Sequence, residues 1–364
     1  MRILYVIDSM TRDGAESQLL KTLDRLKPDE YEVSVVLSRT EGERIRELTA
    51  ISCVRDVTIL NSEGKKRKIL ENAFTLGGVI KAIQPDIVHS WLWYSNFLTG
   101  LSHRLGLWRR IPLIVSQRGD YHARYSKFRL WITEKFIYNP ADILITNSQQ
   151  IQQLLQDLYP NKTIYSIPNI LELPTEEWTP TQRDRSEKSI VCVGRFAPEK
   201  GHRYLIEALN LLDCKDLPWQ CTFLGDGELK SELSNLAENL NLTDKISFPG
   251  FCDDVYSVLL QADLFVLPSL HEGSPNALIE AMGLGLPCIA SDVGGIKDLI
   301  VNGKNGILVP PKDSISLSDA VKQLITDSNY SEDLGRNARK TIQQKFNNTE
   351  SIRKLEDIYK SVIL

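Results

Sequence analysis

The sequence lacks the patterns that mark metal sites, dinucleotide sites and membrane spans. Its six cysteines form no CxxC pair and share no metal-ligand spacing with histidine, so we expect buried thiols and no metal. No GxGxxG follows a predicted strand, which argues against a dehydrogenase. Met1 leads directly into a strand and no apolar run approaches the length of a bilayer span, so we expect neither a signal peptide nor a transmembrane helix.

An excess of positive charge is also missing. The net charge is −4. Residues 1–168 carry 23 Lys and Arg against 18 Asp and Glu, whereas residues 169–364 carry 20 against 29. This balance argues against nucleic acid as a partner, because nucleic-acid binding requires a strongly basic stripe. Unpaired cysteines favour a reducing compartment, and we expect a cytoplasmic protein.

The sequence does contain two series of short apolar runs that alternate with helical patterns. The first series fills residues 1–168, a polar segment with two prolines follows at 169–188, and the second series fills 189–347. Strands that alternate with helices predict right-handed βαβ units and parallel sheets. We therefore predict an α/β protein with two Rossmann-like domains, a linker and a central cleft. The amphipathic helix predicted at 348–364 ends the chain.

Residues 263–295 carry the strongest functional signal. A buried strand is predicted at Asp263–Leu267, and a helix capped by Ser274 is predicted to follow. Glu272 and Glu280 lie on either side of the start of this helix. A helix N-terminus suits phosphate, and each carboxylate can accept hydrogen bonds from two adjacent hydroxyl groups. The segment therefore predicts a site for a nucleotide sugar.

A second loop, Gly194–Gly201, follows a predicted strand and reads GRFAPEKG. Gly194 lets the backbone turn close to a ligand. Arg195 and Lys200 can both face a diphosphate, where arginine makes bidentate contacts and lysine supplies a compact charge. An isolated pair of cations is more often solvated surface. The place of this pair after a strand, with glycine at both ends, favours binding.

Three weaker signals follow other predicted strands. GDGEL contains Gly225, whose backbone can approach a base or ribose, and PGFCDD contains Phe251, where backbone amides can contact a base edge. Gly14 follows the first strand and can bring the first domain against the diphosphate from across the cleft. Each of these turns, taken alone, is equally typical of a plain strand–helix connection.

Together these motifs resemble the retaining glycosyltransferases of GT-B fold in glycosyltransferase family 4, of the kind that builds bacterial surface polysaccharides. The resemblance covers nearly the whole chain, and HEGSPNALIEAMGLGLPCIASDVGG matches the family's E-x7-E segment. It implies that Arg195 and Lys200 bind the diphosphate, Glu280 the ribose and Glu272 the transferred sugar. The other expected donor contacts are Gly14, Gly194, Gly225, Phe251, Gly273, Ser274, Pro275, Asn276 and Ala277.

The sequence departs from the family pattern at two places. The family's GGAE loop reads DGAE at residues 13–16, so one glycine is lost. Many members have H-x-H at the end of the fourth strand, where this chain has HSW, so that Trp91 replaces the second histidine. His89 equally fits a core histidine, and the other candidates have plain structural or solvated alternatives. The acceptor-side candidates are His89, Trp91, Asn96, Arg118 and His122.

The resemblance implies transfer of a hexose with retention of configuration. We expect it to be metal-independent, because Arg195 and Lys200 supply the positive charge and no DxD-type site lies where a sugar nucleotide would need it. We expect UDP-glucose as the donor, which is a substrate and not a cofactor, and a saccharide or lipid-linked acceptor in polysaccharide synthesis. No carboxylate is clearly placed as a nucleophile, so Arg195 and Lys200 are expected to stabilise the departing diphosphate. The alternatives are a GT-B nucleotide-sugar epimerase or hydrolase, and a non-catalytic sugar-nucleotide-binding protein.

Tryptophan and cationic residues are concentrated in the first half of the chain. One interpretation is a patch that binds a membrane surface, which would place the protein at the inner face of the membrane. The other is that the tryptophans are core residues and the cations are simply solvated. The residues concerned are Trp91, Trp93, Trp108, Trp131, Arg104, Arg109, Arg110, Arg124, Lys127 and Arg129.

Overall fold

The computed structural model of the chain describes residues 1–40, 42–60, 68–108, 110–176, 178, 187–212 and 218–363. Part of the predicted linker, residues 177 and 179–186, lies outside these ranges, as does Arg109. The chain divides into two compact units. The first comprises Met1–Ile170 with Asn348–Leu364, and the second comprises Leu171–Asn347.

The first unit is built on a parallel sheet. Its strands are β1 (Arg2–Ile7), β2 (Glu32–Leu37), β3 (Val54–Ile59), β4 (Ile87–Trp91), β5 (Leu113–Gln117), β6 (Ile143–Thr146) and β7 (Thr163–Ser166). They lie in the order β3-β2-β1-β4-β5-β6-β7. The helices that connect them are α1 (Gly14–Leu23), α2 (Ile45–Ala50), α3 (Ile69–Ile83), α4 (Trp93–Arg104), α5 (Tyr121–Arg124), α6 (Lys127–Thr133) and α7 (Gln149–Leu158), and a π-helix spans Glu134–Tyr138.

Side chains from both faces of this sheet are buried. In β1, Ile3, Tyr5 and Ile7 belong to the core on one face, and Leu4 and Val6 belong to the core on the other. The alternation follows from the two-residue period of a strand. Burial on both faces explains why the strands read as continuous apolar runs in the sequence.

The second unit repeats this plan with a sheet of its own. Its strands are β8 (Lys188–Val193), β9 (Trp219–Leu224), β10 (Ile246–Gly250), β11 (Leu264–Leu267), β12 (Cys288–Ser291) and β13 (Ile307–Val309), in the order β10-β9-β8-β11-β12-β13. Its helices are α8 (His202–Leu211), α9 (Lys230–Asn239), α10 (Val255–Gln261), α11 (Asn276–Leu284), α12 (Ser314–Thr326) and α13 (Ser328–Lys345), with 3₁₀ turns at Pro198–Lys200 and Gly294–Asp298. The predicted pair of parallel α/β sheets is confirmed.

Each sheet has a point where the strand order reverses. This switch point lies between β1 and β4 in the first unit and between β8 and β11 in the second. Ligands of open parallel sheets bind beyond the carboxyl ends of the strands at such points. In the second unit, the loops that follow β8 and β11 are residues 194–201 and 268–275. The topology therefore places the two strongest sequence motifs side by side.

One local prediction was wrong. The helix after β11 begins at Asn276 and has Pro275 at its N-cap, and this residue makes no side-chain cap. Ser274 therefore precedes the cap position. Proline fits there because its fixed φ suits the entry into a helix, and α11 ends at Gly285, which is in the left-handed conformation. Among the described residues, no helix is both long and apolar enough to cross a bilayer.

The last helix of the chain, α14 (Asn348–Ser361), belongs to the first unit. Leu355, Ile358 and Tyr359 join the core on the face of Tyr5. The Tyr359 hydroxyl forms hydrogen bonds with the Tyr5 hydroxyl and, at 2.8 Å, with Nδ1 of His89. A buried polar network therefore fixes α14 against β1 and β4.

This network makes a prediction about stability. Tyr359→Phe removes the shared partner of the Tyr5 hydroxyl and of His89 Nδ1, both of which are fully buried. We expect the free energy of unfolding to fall by about 1–3 kcal/mol, measured by urea unfolding. Tyr165→Phe is the matched control, because the Tyr165 side chain is exposed. Equal stability of the Tyr359→Phe variant and the wild type would show that the network does not hold the helix.

Candidate active site

Side-chain and backbone contacts join the loops after β8 and β11. Nζ of Lys200 donates to Oε1 of Glu272 at 2.6 Å, and the Ser269 hydroxyl donates to the same oxygen at 2.7 Å. The backbone N–H of Leu270 donates to the carbonyl of Glu199 at 2.8 Å. Glu272 is only 8% exposed. Its carboxylate is therefore held in one orientation before any ligand binds.

Two glycines permit this close approach of the loops. Gly201 has φ +64°, and a Cβ atom there would lie 2.2 Å from the carbonyl oxygen of Pro268. Gly294, in the loop after β12, has φ +45°, and a Cβ atom there would lie 2.1 Å from the carbonyl oxygen of Glu272. Any side chain at either position would push the loops apart. Glu272 is thus fixed through its backbone as well as through its carboxylate.

The predicted diphosphate-binding cations lie at the edge of this arrangement. Arg195 is half exposed and donates to Oε1 of Glu199 at 2.9 Å. Lys200 is more enclosed and is paired with Glu272. Both cations lie in the loop after β8, and α11 begins at Asn276 just beyond the Glu272 loop. Two cations and a helix N-terminus, which carries partial positive charge, therefore flank one buried carboxylate.

The other predicted donor contacts of the second unit surround the same edge of the sheet. The N–H of Gly225 donates to the carbonyl of Gly250 at 3.0 Å, and the N–H of Gly194 donates to the carbonyl of Leu224 at 2.9 Å, so the loops after β8, β9 and β10 are joined. Phe251 is exposed directly after β10. In the Glu272 loop, Gly273 and Pro275 are buried, whereas the residues that remain partly exposed are Ser274, Asn276, Ala277 and Glu280.

The structure brings Tyr256 of α10 close to Glu280, a neighbour that the sequence did not reveal. Burial raises the pKa of the Tyr256 hydroxyl, and the nearby carboxylates of Glu280 and Glu172 raise it further. The hydroxyl donates to the backbone carbonyl of Glu172. Tyr256 follows the FCDD motif on the next helix, and this position was the available signal. Tyr256 therefore lies beside Glu280, the carboxylate that is expected to bind ribose.

Asp254, in the PGFCDD segment, has a structural role. It is the N-cap of α10, and its Oδ1 accepts the N–H of Ser257 at 3.1 Å. Within the ranges that the structure describes, no three His, Cys, Asp or Glu side chains are grouped so that they could hold a metal ion.

In the first unit, His89 is locked in the interior. Its Nε2 accepts the indole N–H of Trp91 at 3.1 Å and lies 2.8 Å from the Ser116 hydroxyl. Indole can only donate, so Nδ1 must carry the imidazole proton, which it donates to Tyr359. Burial lowers the pKa of His89 well below its ordinary value, and the charge of Arg118 lowers it further. His89 is therefore neutral, with both ring nitrogens engaged.

Arg118 packs against the residue that replaces the family histidine. Its guanidinium lies 3.6 Å from the centre of the Trp91 ring and donates to Oδ1 of Asn169 at 3.2 Å. Its Nε is buried without a hydrogen-bond partner. An adjoining cavity of about 20 Å³, lined in part by His89, Trp91 and Arg118, has room for about one water molecule. Burial lowers the pKa of Arg118 to about 10.

The acceptor-side candidates divide into two groups by exposure. His89, Trp91 and Asn96 are buried, and Nδ2 of Asn96 donates to the carbonyl of Ser116 at 2.9 Å. These contacts are those of a domain interior. Arg118 and His122 remain partly exposed, and burial lowers the pKa of His122. A role in acceptor binding stays a prediction for all five residues.

The first turn of α1, just beyond the loop that follows β1, contains a buried carboxylate whose importance the sequence did not show. Gly14 opens α1 with Asp13 at its N-cap, and Glu16 lies in the first turn. Oε1 of Glu16 accepts the Thr11 hydroxyl at 3.1 Å, whereas Oε2 is buried without a hydrogen-bond partner. Burial raises the pKa of Glu16 to about 7. The available signal was its place as the glutamate of the DGAE loop.

The raised pKa of Glu16 predicts that the free energy of unfolding depends on pH. The fold raises its pKa from 4.5 to about 7, so the folded state disfavours the charged form. The free energy of unfolding should therefore fall as pH rises through this interval, by up to about 3 kcal/mol. Glu16→Gln removes this titration. We expect its stability relative to wild type to increase between pH 4.5 and 8 in urea unfolding.

The matched control is Glu32→Gln, because Glu32 is an exposed carboxylate in the same unit. Its difference from wild type should vary little over the interval. A pH-independent difference for Glu16→Gln would contradict the raised pKa of Glu16.

Comparisons with protein families give consistent matches to the two halves of the chain. Residues 12–173 match the model described as Glycosyltransferase Family 4, and residues 175–341 match the model described as Glycosyl transferases group 1. An uncharacterised glycosyltransferase of Methanocaldococcus jannaschii is 31% identical over 78% of this chain and 77% of that protein. The UDP-Gal:α-D-GlcNAc-diphosphoundecaprenol α-1,3-galactosyltransferase of Escherichia coli is 24% identical over 96% of this chain and 94% of that protein.

Solved structures show the same architecture. Anabaena HepE in complex with UDP and glucose superimposes with a TM-score of 0.83 at 21% identity, covering 99% of this chain and 100% of HepE. Sucrose-phosphate synthase of Thermosynechococcus elongatus gives a TM-score of 0.81 at 20% identity, covering 100% and 99%. At such identities the likeness establishes the fold alone. The chain therefore belongs to the family 4 glycosyltransferases and has their GT-B fold.

Proposed function

We propose that this enzyme transfers a hexose from a UDP-hexose to a saccharide or lipid-linked acceptor, with retention of configuration and without a metal ion. The Lys200–Glu272 pair at the switch point of the second sheet carries the proposal. Lys200 can contact the diphosphate while Glu272 contacts the sugar beside it. Among the described contacts of Glu272, the side-chain hydrogen bonds involve Oε1, which suits Oε2 to accept from sugar hydroxyls.

The charges of the site fit a diphosphate leaving group. As the bond between the anomeric carbon and the diphosphate breaks, its electron pair leaves with the diphosphate, where Arg195, Lys200 and the α11 N-terminus stabilise the added charge. The acceptor oxygen then bonds to the anomeric carbon from the same face, which retains the configuration. Its proton passes to an oxygen of the departing phosphate. The negative charge that develops on the diphosphate thus has positive partners in Arg195, Lys200 and the N-terminus of α11.

The names of related proteins support the choice of donor and acceptor. HepE was solved with UDP and glucose, and the E. coli relative is named for UDP-Gal and a diphosphoundecaprenol acceptor. We take UDP-glucose as the first donor to test, with UDP-galactose beside it. A lipid-linked acceptor in polysaccharide synthesis also implies a cytoplasmic enzyme that works at the inner face of a membrane.

The variant Arg195→Ala tests whether Arg195 binds the diphosphate. Arg195→Ala should weaken UDP binding about 10-fold to 100-fold in calorimetric titration, because a charge-assisted contact contributes about 1.5–3 kcal/mol. Arg336→Ala is the control, since Arg336 is also an exposed arginine of the second unit and pairs with Asp333 at 3.1 Å. Equal UDP affinity in the wild type and the Arg195→Ala variant would refute this role.

The variant Glu272→Gln tests whether Glu272 acts on the transferred sugar and not on the nucleotide. Glu272→Gln keeps an oxygen for Lys200 and Ser269 but removes the charge. We expect kcat for transfer to fall about 100-fold or more, as for other preorganised polar groups around a transition state. UDP affinity should stay the same or rise, because Lys200 loses its counter-charge. A collapse of UDP binding with unchanged folding would show that Glu272 holds the nucleotide instead.

The same assay distinguishes the alternatives. With wild-type enzyme and donor alone, slow release of UDP and a large acceleration on addition of an acceptor are expected of a transferase. Rapid acceptor-free release would identify a hydrolase, and binding without turnover for any donor–acceptor pair would identify a binding protein.

A further inference from the structure

Two large aromatic side chains are exposed together on α6. Phe128 is 70% exposed and Trp131 is 50% exposed, and their rings stack with centroids 6.1 Å apart. Contiguous exposed apolar side chains of this size mark a surface that binds another protein or a membrane. Of the four first-half tryptophans, Trp91 and Trp108 are core residues. The structure therefore narrows the aromatic patch suggested by the sequence to α6.

The apolar surface continues across the start of α4 to the start of α3. Trp93 of α4 donates its indole N–H to the Thr133 hydroxyl of α6 at 2.8 Å. On the other side, Nδ2 of Asn72 of α3 donates to the hydroxyl of Tyr94 at 3.2 Å. Exposed apolar side chains of α3 flank Asn72. We name the whole set the apolar rim: Ile69, Leu70, Phe74, Phe128 and Trp131.

The apolar rim lies at the carboxyl edge of the first sheet. The helix α4 begins at Trp93, two residues after β4 ends at Trp91, and α3 follows β3. The segment that contains α6 follows β5 in the same way. Loops that follow parallel strands share one edge of the sheet. The rim therefore borders the edge that holds the loop of Gly14 and Glu16.

Cations surround these apolar groups. Lys68, Arg124 and Lys127 are exposed, and Nζ of Lys135 lies 4.8 Å from the centre of the Trp131 ring. The guanidinium of Arg129 lies 4.2 Å from the ring of Trp93. Acidic side chains are fewer in the described segments 68–83, 93–104 and 120–138, where they are Glu71, Asp120 and Glu134, of which Asp120 caps α5. This local excess of positive charge contrasts with the net charge of −4.

We propose that the apolar rim and its cations dock the enzyme on an anionic lipid bilayer, with Phe128 and Trp131 inserted at the level of the headgroups. Aromatic side chains favour that depth, and cations near the surface are attracted to anionic lipids. A second copy of the chain fits less well, because symmetric contact would bring the same cations together. Docking would present the carboxyl edge of the first sheet to lipid-linked saccharides, and this consequence alone rests on the proposed function.

Vesicle co-sedimentation tests the docking surface with the full-length protein. The probes are phosphatidylcholine vesicles with and without about one-third phosphatidylglycerol. Wild type should bind the anionic vesicles, with weaker binding to the neutral ones and in high salt. The double variant Phe128→Ser/Trp131→Ser should partition at least about tenfold less, because it lacks the two apolar rings that enter the bilayer.

The matched control is Leu154→Ser/Leu158→Ser, because these residues are exposed leucines of α7 in the same unit. This control should bind as wild type does. The charge variant Arg124→Glu/Lys127→Glu should lose the preference for anionic vesicles. Failure of wild type to bind, equal loss in the α7 control, or dimerisation that the double variant abolishes without any vesicle binding would each overturn the proposal.

A second measurement separates this proposal from the proposed function. UDP affinity and transfer to a water-soluble saccharide should be unchanged in Phe128→Ser/Trp131→Ser, because neither residue belongs to the site. Vesicle binding without transferase activity would overturn the function and leave the docking surface intact. Transfer without vesicle binding would overturn the docking surface alone.

Discussion

The ion pair between Lys200 and Glu272 is the interaction on which the site of the second unit depends. It spans the switch point of the sheet, joins the loops after β8 and β11, and buries most of one carboxylate. A buried carboxylate without such a partner would cost several kcal/mol. The pair therefore orders both loops before any ligand binds. Under the proposed function it also keeps a cation in place for the diphosphate, and preorganised charge of this kind lowers the barrier to its departure.

The surrounding backbone is built to keep that pair in place. Gly201 and Gly294 let three loops pack with almost no space between them, and the N–H of Leu270 closes the contact with the Glu199 carbonyl. The first unit uses buried polar groups differently. There, neutral His89 is held between Ser116 and Tyr359, and Glu16 retains an oxygen without a hydrogen-bond partner. The hydrogen bonds of His89 are expected to stabilise the first unit, and the buried Glu16 carboxylate is expected to make its stability depend on pH.

Much of the fold and of the candidate donor site follows from the sequence. Apolar runs alternating with helical periods predict parallel sheets, and loops after strands predict where Arg195, Lys200 and Glu272 lie. The strand order that brings them together is a tertiary property that no local pattern contains. One hydrogen-bond partner of His89 is Tyr359, 270 positions away, so the sequence could suggest a core histidine but not this contact. Composition likewise does not distinguish Trp91, which is 1% exposed, from Trp131, which is 50% exposed.

The central claim is that the loops after β8 and β11 bind the nucleotide diphosphate. Hydrogen–deuterium exchange of the full chain, with and without saturating UDP, tests it most directly. The account predicts slower exchange in residues 194–201 and 268–277 when UDP is bound, and loss of this protection in Lys200→Ala at the same UDP concentration. UDP binding that leaves both segments exchanging at their ligand-free rates would contradict the account.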